Sequence, residues 1–197
     1  MRRFVLLLAL CATTLAFAPA PARPAVNPDL LGWPVLASGA FQPADSGADA
    51  LTYDSTLAPV GARAAVVAVV TPLGTTTILA VKGLAPNREY GAHVHVNACG
   101  ADPAAAGPHV QWREDPVQPS TDPKYANPSN EIWLDLTTDG QGTDVAASSV
   151  RWPISKKTAG SVVIHEHHTS REHGEAGTAG PRLACINVPF DQDGRHK

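Results

Sequence analysis

The chain has 197 residues, 44% of them apolar, and a formal net charge of −3, which is enough for one domain with a real core. Its 15 Lys and Arg form no basic stripe, so nucleic acid and anionic membrane surfaces are excluded as expected partners. An anionic substrate would have to be drawn in by local positive charge.

In chain order, Arg2 and Arg3 precede an apolar stretch that runs from Phe4 to Phe17, and small residues follow at Ala18-Pro19-Ala20 and near Ala25. This is the charged, apolar and small-residue succession of a secretory signal peptide over residues 1–25, too short for a membrane span. The mature protein is expected to be exported, to the cell envelope or beyond, without a transmembrane segment. Cleavage near Ala25 would leave 12 basic against 18 acidic residues. It would also remove Cys11, leaving Cys99 and Cys185, which in an oxidising compartment read as one structural disulfide. Neither belongs to a Cys-x-x-Cys unit, which argues against a thiolate metal site.

Residues 26–55 are rich in Ala, Pro, Gly and Asp with little periodicity and predict a flexible tail. The folded domain is expected over residues 56–190, followed by a short tail at 191–197. Ala65 to Val70 and Thr75 to Val81 are β-branched runs separated by Pro72-Leu73-Gly74, a hairpin signal. Tyr90 to Val96 follows the turn Gly83 to Asn87, and later come Ile132 to Thr137, Thr143 to Ala147, Ser161 to His165 and Leu183 to Val188. No segment keeps a helical period. About eight short strands spaced by turn signals predict an all-β, antiparallel sandwich or barrel with long loops. Two stretches, His109 to Asn130 and His167 to Pro181, match neither strand nor helix and adjoin the histidine motifs, where a site on a rigid scaffold would be built.

The histidines carry the chemistry. In Gly91-Ala92-His93-Val94-His95 the two imidazoles lie two residues apart and so project from one face of a strand. A third follows a Gly-Pro turn at His109, and a fourth, His165, closes the apolar run Ser161 to Ile164. Imidazole suits copper or zinc, and without a thiolate the divalent affinity order favours Cu(II).

These motifs together resemble the copper/zinc superoxide dismutases over about Ala62 to Val188. Gly91 to His95 is similar to that family's strand with two copper ligands, Ala106-Gly107-Pro108-His109 to the turn with its bridging histidine, and Val163 to Glu166 to the strand with the last ligand. Gly180-Pro181-Arg182-Leu183-Ala184-Cys185 resembles the signature in which an arginine guards the copper and a cysteine enters the disulfide, with Cys99 as its partner. The resemblance implies a Greek-key β-barrel, copper held by His93, His95, His109 and His165, and Arg182 attracting superoxide for dismutation.

The resemblance is incomplete at zinc. Residues 110–161 contain no histidine, where relatives keep further zinc ligands, so copper is expected without zinc, as in the copper-only branch. The remaining histidines, His167, His168, His173 and His196, stand in charged or terminal segments. His109 then needs another partner to fix its ring; Glu131 is the first candidate and Asp135 the second. A non-catalytic copper-binding or storage module on the same fold is the alternative, since fold alone does not fix function.

Overall fold

The computed structural model of the protein describes residues 32–190. The expected signal peptide and C-terminal tail lie outside them. Among the described residues, ten strands form two sheets. The four-stranded sheet has the order β1 (Trp33–Ala40), β4 (Arg63–Thr71), β5 (Gly74–Lys82), β8 (Asp144–Val150), all antiparallel. The six-stranded sheet runs β2 (Gln42–Pro43), β3 (Ala50–Thr52), β10 (Arg182–Asn187), β9 (Ser161–His165), β6 (Glu89–His95), β7 (Leu136–Thr137), with only the β2–β3 pair parallel. The fold is therefore the all-β sandwich of the two forms expected, with β5 beside β8 and β10 beside β3 as Greek-key-like crossovers.

The β4–β5 hairpin forms where the β-branched runs predicted it. Its turn is held by Leu73 N–H and Gly74 N–H, both donating to Thr71 Oγ1. Ala64, Val66, Ala68 and Val70 point into the core, while Val67 and Val69 face outward, the alternation of a sheet with one wet face. Against them pack Ala92, Val94, Val162, Ile164 and Ile186 from the six-stranded sheet.

That second sheet is covered on both faces. Every residue of β6 after Glu89 and every residue of β9 is buried. Alternate residues go to the sandwich core, and the others, His93, His95, Val163 and His165, go to the opposite face. The two long irregular stretches close over that face. Val110 N–H donates to Val94 O, and Leu134 N–H to Ala92 O, so the first stretch begins, and the residues after it return, along the edge of β6 away from β9. Gly91 is required by the second stretch: a Cβ there would meet His167 O at 2.6 Å and Ala179 Cβ at 2.7 Å.

Two expectations are corrected. The tail reading of residues 26–55 fails from Trp33 onward, because Trp33–Ala40 pairs with β4 over eight residues and Ala50–Thr52 with β10. β1 is an edge strand, where Pro34 costs no ladder bond, and only Val35 in it is fully buried. The expected strand over 132–137 is also shortened, to Leu136–Thr137 with an isolated bridge from His93 to Trp133. Among the described residues no helix is long and apolar enough to cross a membrane.

Candidate metal centre

Strand register assembles the site. β6 and β9 pair antiparallel with Gly91 opposite His165 and His93 opposite Val163, so His93, His95 and His165 share the outward face of adjacent strands. His109 joins them through an isolated bridge to His95. One ring nitrogen from each of the four histidines lies within 4.8 Å of the others, and the His95 and His165 Nε2 atoms are 3.4 Å apart. Among the described residues no second group of three or more potential ligands converges in this way.

Each ring has one nitrogen engaged by the protein. His95 Nδ1–H donates to Gly107 O at 2.9 Å and His165 Nδ1–H to Gly180 O at 3.1 Å. His109 Nδ1–H donates to Glu131 Oε2 at 2.9 Å. His93 is oriented the other way: its Nε2–H donates to Thr169 Oγ1 at 2.7 Å, and its Nδ1 is buried without a partner. The tautomers follow from acceptors that can only accept, or, for Thr169, from a hydroxyl whose proton goes elsewhere. Three Nε2 atoms and one Nδ1 are thus left for a common ligand.

Burial holds three of the rings neutral. Burial lowers the pKa of His93 and His95 well below the ordinary 6.5, with the neighbouring histidines adding to the effect, and burial lowers that of His165 to about 3. Neutral imidazole is the form that binds a metal.

Glu131 lies where His109 needs it. The carboxylate is 1% exposed, and besides His109 it accepts Gln111 Nε2–H at 2.7 Å and Trp133 Nε1–H at 2.6 Å. A buried carboxylate with three donors has its desolvation compensated. Asp135 does not reach His109. It accepts instead from Thr169, at 2.5 Å from the hydroxyl and 3.3 Å from the backbone N–H, and so stands behind His93. Gln111, Trp133 and Thr169 were not singled out from sequence. The first two sit two residues from His109 and Glu131, a spacing that could have suggested a shared face, but Thr169 meets His93 across 76 residues with no local signal.

Arg182 stands opposite His165 in the β9–β10 pairing. Its Nη1–H donates to Pro103 O and its Nη2–H to Gly107 O, both at 2.6 Å, so one carbonyl, that of Gly107, receives both the arginine and His95. Gly107 itself has φ 72°, a left-handed conformation open chiefly to glycine. Burial lowers the guanidinium pKa, with Tyr53 and Asp102 opposing, but arginine remains charged. A cleft of about 330 Å³ is lined by His109, Ser120, Glu131, His165, Thr178 and Arg182 among others. The disulfide joins Cys99 to Cys185 and ties the segment leading to His109 to β10, three residues beyond Arg182. His167 is exposed and His168 partly so; they lie beside Glu166 and Glu89 respectively, outside the cluster.

No protein-family model matches the chain, and no curated protein does. Among solved structures, the chain is similar to the Cu/Zn superoxide dismutase from Brucella abortus, with 18% identity, a TM-score of 0.51, and coverage of 79% of this chain and 98% of that one. A double mutant of a superoxide dismutase-like protein from Bacillus subtilis is 17% identical over 62% of this chain and 88% of its own, with a TM-score of 0.46. The two sheets and the disulfide-tied outer face thus have the fold of Cu/Zn superoxide dismutase.

Proposed function

We propose that this protein holds one copper ion at His93, His95, His109 and His165 and dismutates superoxide to dioxygen and hydrogen peroxide outside the cytoplasm, without zinc. The observation that carries the reading is the convergence of four imidazoles beside a cleft that Arg182 also lines. The donor set fits the ion: all four ligands are nitrogen, which suits Cu(II). The unpartnered, buried Nδ1 of His93 is a group that costs about 1–3 kcal/mol when unsatisfied and that a cation would satisfy. Copper bound there supplies a reversible one-electron couple, so that one superoxide is oxidised and the next is reduced.

The chain's residues do the rest. Arg182 is locked by two carbonyls and presents a fixed positive charge to the cleft, binding and orienting the small anion. Two superoxide anions and two protons give one dioxygen and one hydrogen peroxide. His109, at 18% side-chain exposure the most accessible of the four, is placed to hand over a proton from Nε2. Glu131 keeps its Nδ1 protonated and the ring in place meanwhile. In zinc-containing relatives a second metal takes that far nitrogen; here Glu131, Gln111 and Trp133 occupy its surroundings, which supports the zinc-free form. A copper-storing module would have no use for the anion-orienting Arg182.

The experiment is a superoxide dismutation assay on copper-loaded, zinc-free mature protein, with His93→Ala/His165→Ala as control. Catalysis that disappears with the double substitution is expected. Stoichiometric copper without dismutation would leave the storage reading in its place.

A further inference from the structure

A hydrogen-bonded chain leads away from the site through residues that do not line the cleft. His93 Nε2–H donates to Thr169 Oγ1 at 2.7 Å, and the Thr169 hydroxyl donates to Asp135 Oδ1 at 2.5 Å. The second Asp135 oxygen accepts the Thr169 backbone N–H at 3.3 Å, so the carboxylate grips both donors of one residue. His93 is wholly buried and Thr169 nearly so, while Asp135 borders a separate surface depression with Pro128, Trp133 and Arg171. The other three histidines in the cluster rest directly on a carbonyl or carboxylate. Only His93 is held through a hydroxyl, and only His93 turns Nδ1 inward.

We propose that Thr169 and Asp135 are positioning residues for the metal centre: Thr169 fixes the tautomer and flip of His93 so that Nδ1 faces the other ligands, and the Asp135 carboxylate, two hydrogen bonds away, favours the more highly charged oxidation state of copper. A hydroxyl that already donates to a carboxylate can only accept from the imidazole, so the proton of His93 is confined to Nε2. Such outer partners orient a ligand and raise its basicity, and their loss typically costs 10–100-fold in metal affinity. A negative charge near the ligand set stabilises Cu(II) over Cu(I), so it should hold the reduction potential down. The role assigned to Asp135 rests on the copper reading; that of Thr169 on the ring does not.

The test uses Thr169→Val, Thr169→Ser and Asp135→Asn in the full mature chain. Ring-nitrogen NMR of the metal-free protein reads the tautomer directly, and a single Nε2–H form of His93 is expected in the wild type and Thr169→Ser. In Thr169→Val a mixture should appear, with Cu(II) affinity about 10–100-fold weaker in chelator competition and an altered paramagnetic resonance spectrum. Asp135→Asn keeps an acceptor for the hydroxyl but loses the charge, so it should bind copper and show a raised reduction potential. Should Thr169→Val not fold, Asp135→Asn against Thr169→Ser decides. A wild-type chain that takes up no Cu(II) would defeat the copper reading, and the role of Asp135 with it, while the tautomer measurement would still decide Thr169. Normal copper binding with wild-type potential in Asp135→Asn, or an Nδ1–H form of His93 in the wild type, would overturn the relay alone.

Discussion

Single side chains divide the labour at this centre, and two of them make separable predictions. Arg182→Ala should leave copper bound, since His95 keeps its own hydrogen bond to Gly107 O when the guanidinium is removed, but should lower the dismutation rate about tenfold or more through loss of the charge that draws and orients the anion. The fall of rate with ionic strength should also flatten; unchanged kinetics would remove Arg182 from the reaction. Glu131→Gln should be costly in a different way. Three N–H groups converge on that carboxylate, and an amide turns one of its own donors toward them, so folding stability should drop by about 1–3 kcal/mol and the pH dependence of the rate should shift. Denaturant melts with a pH–rate profile would check both, and a variant like the wild type in both would make Glu131 a bystander. The histidines were legible at this scale because alternation along a strand puts His93 and His95 on one face whatever the rest of the chain does. Glu131 is legible only as a replacement for a metal partner at His109, and Asp135 bonds Thr169 rather than His109 because sequence does not say which group a carboxylate faces.

At the scale of elements, the site stands on two strands and is closed by two long stretches that sequence could only leave unassigned. Their order comes from tertiary bonds, such as Val110 N–H to Val94 O of β6 and His167 N–H to Ala179 O, which leave no periodic trace. β1 leaves little signal for a related reason: Trp33-Pro34-Val35-Leu36-Ala37-Ser38-Gly39-Ala40 lacks strand-forming composition because an edge strand with one buried side chain needs little of it. The Cys99–Cys185 bond closes an 86-residue separation, and on the chain-entropy account it contributes about 4 kcal/mol. Reduction should lower the unfolding midpoint accordingly and, because the bond ties the His109 segment to the strand of Arg182, should loosen copper binding as well. Free thiols in the protein isolated under oxidising conditions, or reduction without effect on either property, would contradict this.

For the molecule as a whole, the three buried histidines His93, His95 and His165 link metal binding, stability and pH. His93, His95 and His165 all have folded pKa values below the ordinary 6.5, His165 at about 3. As pH falls through 6.5 the unfolded chain therefore takes up protons that the folded chain refuses. The metal-free protein should have its full share of this stability above pH 6.5 and lose it progressively toward pH 3, by on the order of 1 kcal/mol per pH unit for each such histidine. Melts of the metal-free protein across that window would show it, and a flat profile would mean that the rings are protonated when folded. The fold that sets up this cluster is shared with Cu/Zn superoxide dismutase, but the chemistry has to be tested on this chain. The most direct measurement is a metal titration of dismutation activity. Activity should rise linearly to one equivalent of copper, then level off, and added zinc should not change it; a stoichiometric zinc required for activity, or a full equivalent of copper bound with no dismutation, would contradict the account.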